Sequence, residues 1–453
     1  MGREQFKSRL GFVLISAGCA IGIGNVWRFP YVVGNNGGGI FVIAYLFFLI
    51  TFGVPILTME YAIGRASRKS IVRAYQQLEP EGSKWHLHGY LAFAGNYILM
   101  FFYTVVTGWM FYYFFRFLRG GFTGLNTAEV EQSYDWMLSR PGTMIFWMIL
   151  AVFLGIVICS MGLQKGVERI TKWMMLILLG LIFLLAVHSM TLKGGLEGLK
   201  FYLYPDIERV RENGLLKVIV AAMNQAFFTL SIGIGSMMIF GSYLDKKRTL
   251  LGESITVAGL DTFVAITAGL IIFPACFAYG INPDSGPKLI FITLPSVFNG
   301  MAGGRIWGTC FFLFMSFASL STVIAVFENI ICCSMERWKL SRKRAAVINF
   351  IVISLGSIPC VLGYNIWKEF QPFGPGSNIL DLEDFLVSSI MLPIGTLIIL
   401  FFCTRRHGWS FENYFNEVNQ GSGPKMAKAL RFYLTWILPV LIIVLIVDGI
   451  IRR

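Results

Sequence analysis

The chain has 453 residues, 56% of them hydrophobic and only 14% charged, whereas soluble domains carry about a quarter charged residues. That balance excludes a water-soluble enzyme and points to an all-α membrane protein of many spans. The formal net charge of +13 does not indicate a nucleic-acid partner. The basic clusters Arg65, Arg68, Lys69, Arg73 and Arg337, Lys339, Arg342, Lys343, Arg344 fall in short connections on one side of the predicted spans, where they read as topology signals.

Apolar runs of spanning length fall at 10–34, 39–64, 88–118, 143–163, 168–190, 214–242, 252–280, 304–334, 344–366, 380–404 and 431–450, so eleven transmembrane helices are expected. The first run is longer than a signal-peptide core and has no cleavage signature, which predicts a retained helix. The Lys/Arg bias places the N-terminus on the cytoplasmic side of the cell membrane. Between the seventh and eighth runs, the apolar stretch around Phe291 and Leu294-Pro295 predicts a short outer helix that either caps a vestibule or packs on the surface. The loops leave no room for a soluble catalytic domain. The eight cysteines lie in or beside apolar runs without C-x-x-C spacing, and His86, His88, His188 and His407 lack ligand spacing. Neither a disulfide framework nor a zinc site is expected, and no catalytic constellation stands out.

Two runs carry the same interruption, Ile21-Gly22-Ile23-Gly24 and Ile232-Gly233-Ile234-Gly235. Paired glycines weaken a helix, and lipid offers no partner for the backbone groups a break frees. A matched pair of breaks therefore predicts a binding site at membrane depth; the bland alternative is close helix packing. The breaks fall in the first and sixth runs, which divides ten helices into two sets of five. An odd number per set makes the second set enter from the opposite side. This predicts a 5+5 inverted repeat, residues 1–190 and 191–406, with an inner loop and one additional helix in 407–453. At the first break, freed carbonyls suit a cation and freed amides an anion, as half-helix dipoles also do. Asn25 adds a neutral oxygen that a hard cation accepts, or else makes a helix-to-helix hydrogen bond.

The run Gly24-Asn25-Val26-Trp27-Arg28-Phe29-Pro30-Tyr31, the glycines of Asn35-Asn36-Gly37-Gly38-Gly39, and the segments Gln225–Ser231 and Ala318–Thr322 together resemble the neurotransmitter:sodium symporter family. The resemblance covers the first ten spans and implies a bacterial amino-acid transporter of the LeuT fold, with breaks in helices one and six and two sodium ions. It implies a first sodium site at the Ala20 carbonyl, Asn25, Thr229, Asp261 and the substrate carboxylate. A second would use the carbonyls of Gly18, Ile21 and Ala318 with the hydroxyls of Ser321 and Thr322. Read without the family, those two hydroxyls would bond back to their own helix.

By the same resemblance the substrate carboxylate meets the amides of Ile23 and Gly24 and the Tyr103 hydroxyl. Leu99, Tyr103, Phe228, Ser231, Ile234, Thr322 and Val326 line the side-chain pocket. None carries a formal charge, so the resemblance implies a neutral, apolar or aromatic substrate. Read alone, Leu99 and Phe228 are core residues. Family members that carry monoamines have aspartate where this chain has Gly22, which implies an amino acid. Chloride-dependent members have asparagine and serine where this chain has Asp261 and Ala265, which implies chloride-independent transport with Asp261 supplying the fixed negative charge.

Arg28 and Asp384 match the family's outer gate, and Arg3, Glu336 and Tyr243 its inner gate; Glu60 and Gln225 are expected beside Arg28. Two departures are Leu176, where relatives often have a helix-opening proline ten residues after a glycine, here Gly166, and Phe6 in place of tryptophan. The expected function is sodium-coupled import by alternating access. The competing reading is an amino-acid-binding sensor or a channel on the same fold, although two gates in series disfavour a channel and the lack of a signalling domain disfavours a sensor. The oligomeric state has no signature in the sequence.

Overall fold

The computed structural model describes residues 4–26, 28–280 and 288–451. Its principal helices are α1 (Arg9–Ala20), α2 (Ile23–Asn35), α3 (Gly39–Ser67), α4 (His86–Leu118), α5 (Pro141–Ser160), α6 (Leu163–Met190), α7 (Leu215–Phe228), α8 (Ser236–Gly241), α9 (Leu250–Ala278), α10 (Gly304–Trp338), α11 (Arg342–Leu362), α12 (Ile379–Thr404) and α13 (Leu430–Ile451). Among the described residues nine are long and apolar enough to cross a bilayer unbroken, and α1 with α2, bent by 66°, makes a tenth. The shorter apolar helix α7 and the six-residue α8 follow one another across the second break, in the sixth of the eleven apolar runs.

Both breaks have local causes. The Ser8 side chain starts α1 by accepting from the Gly11 amide at 3.0 Å, satisfying one of the free amides of a first turn. The helix ends where Ile21 turns extended, its N–H still bonded to the Ala17 carbonyl at 2.6 Å. In the second break Ser231, Gly233 and Gly235 have φ of +52°, +110° and +71°, the left-handed side that glycine adopts without a Cβ penalty.

The long α10 forms the centre, with 83% of its most apolar stretch buried, against 28% for α13 at the edge. It runs beside α4 and α1. Phe146, Phe183, Leu355 and Ile443 face outward as a lipid-exposed belt. The predicted outer helix exists as Leu294–Gly300, preceded by a widened turn at Leu289–Thr293. It is pinned to neighbouring helices: the Tyr113 hydroxyl donates to the Phe291 carbonyl at 2.9 Å, and the Phe291 and Tyr134 rings stack at 5.6 Å. The α6 helix continues through the exposed Leu176, and its irregularity lies earlier, in the wide turn Leu163–Glu168.

Candidate functional site

The first break brings three distant side chains together. Asn25 Nδ2 donates to Asp261 Oδ1 at 2.8 Å and to Thr229 Oγ1 at 3.4 Å, and Thr229 Oγ1 donates to Asp261 Oδ2 at 2.6 Å. All three are buried. Asn25 Oδ1 accepts from the Gly22 amide at 3.2 Å, so the break and the carboxylate on α9 are wired through one residue. The other cluster lies on α1 and α10. Ser321 Oγ donates to the Gly18 carbonyl at 2.9 Å and to the Ala318 carbonyl at 2.8 Å; Thr322 Oγ1 lies 3.3 Å from Gly18 O and 3.4 Å from Ala318 O. Each hydroxyl bonds back along α10, as expected of such residues read alone, and also reaches across to α1. The Ile21 carbonyl has no described contact with this cluster.

The second break is satisfied by protein. Glu60 accepts from the Gly233 amide at 2.6 Å and the Met237 amide at 3.2 Å. Asn96 donates to the Ile234 carbonyl at 2.9 Å and accepts from Ser236 Oγ at 3.0 Å. This corrects the expectation that Glu60 sits with Arg28: it holds the unwound segment instead, as a free backbone in lipid requires. Gln225, by contrast, does line the same cavity as Arg28. Asn96 was missed altogether; its signal was a polar residue within a span, the kind that marks a functional or wiring role.

The close approach at the second break makes a test. A Cβ at Gly233 would run into the Leu392 carbonyl oxygen and lie 2.7 Å from Thr396 Oγ1, whereas one at Gly24 meets nothing within 4 Å. Gly233→Ala is therefore expected to lower the ligand-free melting midpoint by roughly 5 °C or more, and Gly24→Ala by no more than about 1 °C. Equal midpoints for the two variants in detergent would contradict this account.

Between the breaks lies a cavity of about 330 Å3. Of the expected substrate residues, Ala20, Gly22, Ile23, Gly24, Leu99, Tyr103, Phe228, Ser231, Ile234 and Thr322 line it, as do Asn25 and Thr229. Val326 is buried and absent from the lining, because it lies one helical turn beyond Thr322 inside the α10 core. Phe102, Ser388 and Leu392 line it unanticipated; Ser388 and Leu392 looked like ordinary span residues in sequence. Tyr103 Oη accepts from the Ile23 amide at 3.3 Å. Ser231 Oγ donates to the Cys19 carbonyl at 3.2 Å.

Arg28 and Asp384 face this cavity, but among the described residues no ion pair joins them. The Arg28 guanidinium instead lies 4.2 Å above the Phe228 ring, and Asp384 accepts from Ser388 Oγ at 2.7 Å. A cation over an aromatic face is an attractive contact in itself.

At the other end, Arg3 lies outside the described residues. Glu336 accepts from the Ser70 amide at 3.0 Å and its hydroxyl at 2.7 Å. The Tyr243 hydroxyl donates to Glu328 at 2.6 Å, and Glu328 holds Arg342 at 2.7 Å. Phe6 is inserted among Phe12, Phe240 and Tyr243, with ring centroids 5.5, 6.4 and 5.7 Å away. Arg342 and Arg65, read from sequence as topology signals, are structural ion partners. Arg65 is fully buried, bonded to the Glu417 carboxylate at 2.6 Å and to the Arg248 carbonyl at 2.8 Å.

The sequence pattern of the Sodium:neurotransmitter symporter family matches residues 3–136 and 129–453. An uncharacterized sodium-dependent transporter of Bacillus subtilis, YhdH, is 33% identical over 95% of this chain and 93% of its own. An uncharacterized sodium-dependent transporter of Haemophilus influenzae is 30% identical over 99% and 98%. A sodium- and chloride-dependent taurine transporter of Canis lupus familiaris is 24% identical over 97% of this chain and 77% of its own. Among solved structures, MhsT in complex with L-phenylalanine superposes with a TM-score of 0.88 at 37% identity, covering 99% of this chain and 100% of that one. With the family pattern matched along nearly the whole chain and near-complete coverage of its relatives, this chain is a membrane transporter, not an enzyme, and belongs to the sodium:neurotransmitter symporter family.

Proposed function

We propose that the protein imports a neutral L-amino acid with an apolar or aromatic side chain, coupled to two sodium ions and independent of chloride. The observation that carries this reading is the adjacency of the Asn25–Thr229–Asp261 cluster to a cavity bounded by Gly22, Tyr103 and the apolar Leu99, Phe102, Phe228 and Ile234. The substrate carboxylate meets the Ile23 and Gly24 amides and the Tyr103 hydroxyl, and its second oxygen completes the first sodium cage with the Ala20 carbonyl, Asn25, Thr229 and Asp261. Ion and substrate then raise each other's affinity, which is the coupling. The second sodium takes the Gly18, Ile21 and Ala318 carbonyls with Ser321 and Thr322.

A charged substrate side chain lying against Leu99, Phe102, Phe228 and Ile234 would lose its hydration there without gaining a partner, since the charged lining residues Arg28 and Asp384 belong to the outer gate in this reading. Support for an aromatic side chain comes from the phenylalanine bound by MhsT. Asp261 supplies negative charge beside the first sodium, and Ala265 one turn later offers no hydroxyl to an anion. Arg28 with Asp384, and Arg3 with Glu336 and Tyr243, gate the two ends in turn, while residues 1–190 and 191–406 act as the inverted repeats in a bacterial cell membrane with the N-terminus cytoplasmic.

The test is uptake into proteoliposomes under an inward sodium gradient. Phenylalanine, leucine or methionine is expected to accumulate above its outside concentration, and lysine and glutamate are not. Replacing chloride by gluconate is expected to leave the rate unchanged. Equilibration without accumulation would indicate a channel, and binding without flux a sensor; collapse in gluconate would end the chloride-independent reading.

A further inference from the structure

On the face that carries the N-terminal segment, a pocket of about 590 Å3 lies away from both breaks. Lys7, Lys165, Arg169 and Lys172 surround it, with Trp173 at one side and Glu168 as the lone acidic wall residue. Among the described residues none of the four cations forms an ion pair. Glu168 offsets at most one of these four charges, and its two oxygens are turned to the Lys7 amide at 2.8 Å and to the Ser8 amide and hydroxyl at 3.1 and 3.2 Å. The other nearby carboxylate, Glu4, accepts from the Leu163 amide at 2.9 Å. The pocket therefore keeps a net positive charge, four cations against one wall carboxylate and Glu4 nearby.

Its depth is set by α6. Trp173, 61% exposed, is the first large outward-facing apolar residue of that helix, and Ile177, Phe183, Leu184 and Val187 continue an exposed apolar strip beyond it. Exposed tryptophan marks the boundary of the hydrocarbon layer. Lys165, Arg169 and Lys172 precede it by up to eight residues, roughly 12 Å along a helix, which puts them at headgroup level. A guanidinium and three ammonium groups around one cavity suit a phosphodiester, with Arg169 able to engage two of its oxygens.

We propose that this pocket binds the phosphate headgroup of an anionic membrane phospholipid, whose acyl chains lie along the exposed strip of α6. Lys7 belongs to the segment that Glu168 fastens and that enters α1 through the Ser8 cap. The bound lipid thus ties this segment to α6 and braces the approach to the first broken span.

The experiment uses the full-length protein in phosphatidylcholine nanodiscs doped with phosphatidylglycerol, with retained lipid counted by native mass spectrometry. The triple variant Lys165→Gln, Arg169→Gln, Lys172→Gln is expected to lower phosphatidylglycerol affinity by about tenfold or more. A charge-matched control, Lys339→Gln, Lys343→Gln, Arg344→Gln, is expected to lower it less than about twofold. Equal losses in the two variants would overturn the site in favour of diffuse attraction. If the triple variant does not fold, Arg169→Gln alone is read the same way, with a several-fold loss expected and an unchanged affinity overturning the proposal. Lys7→Gln is expected to weaken lipid retention too; unchanged retention would remove the brace. Inorganic phosphate and glycerol phosphate at millimolar concentration are expected to leave the melting midpoint of lipid-free protein unchanged. A rise equal to that with phosphatidylglycerol would reassign the pocket to a soluble phosphate.

Discussion

Gly22→Asp is expected to abolish measurable amino-acid binding, a loss of at least about 100-fold, equivalent to roughly 3 kcal/mol. Two effects combine. A Cβ at this position would lie 2.8 Å from the Tyr103 hydroxyl and 3.3 Å from Thr322 Oγ1, tighter than ordinary contact. The added carboxylate would also face the substrate carboxylate at the Ile23 amide and Tyr103 hydroxyl proposed to receive it. Gly22→Ala separates the two terms, since it keeps the crowding without the charge; its loss is expected to be nearer tenfold, from overpacking alone. Binding of radiolabelled phenylalanine at saturating sodium measures both variants. Retention of wild-type affinity by Gly22→Asp would mean that the carboxylate is received elsewhere. Phenethylamine, which lacks the carboxylate, is expected to lose less affinity than phenylalanine, because it brings no like charge.

Asp261→Asn is expected to raise the sodium concentration for half-maximal uptake by about tenfold or more, since the proposed first sodium would lose the only carboxylate that the protein brings to its cage. The shape is nearly conserved, which makes the variant informative. Asp261 accepts from Asn25 Nδ2 at 2.8 Å and from Thr229 Oγ1 at 2.6 Å. An asparagine oxygen can keep the first bond, and the Thr229 hydroxyl can turn to accept from its amide. The protein should therefore fold while holding sodium weakly. Uptake by this variant is further expected to respond to chloride, and that of the wild type is expected not to. A sodium titration in chloride and in gluconate reads both effects, and an unchanged sodium dependence would remove Asp261 from the cage.

Several parts of the fold and site were legible one residue at a time. Gly22 and Gly233 are conspicuous in runs where glycine serves no helix, and each marks a break where the backbone turns extended or left-handed. Asp261 stood out as a carboxylate in an apolar run, and it is fully buried. Other parts were illegible for a shared reason. Glu60 was as visible in sequence as Asp261, but its partners are 173 and 177 residues away, and nothing in local spacing selects the second break over Arg28. Glu328 and Glu336 both lie on α10 eight residues apart, and local spacing did not show that one would hold Arg342 and Tyr243 and the other Ser70. Arg65 sits among surface-like basic residues, yet the helix Phe411–Val418 folds over it and buries it.

The sequence by itself determined the membrane class, the approximate spans, the two breaks and the residue types available at each, because hydropathy and helix-breaking chemistry act within a few residues. Only the tertiary structure decided how the two breaks differ. The second is held by the protein, through Glu60 and Asn96, while the first gathers Asn25, Thr229 and Asp261 at the edge of a cavity. The physical reason is that freed backbone groups in a bilayer must find partners, and which partners reach them depends on helices brought together from distant parts of the chain.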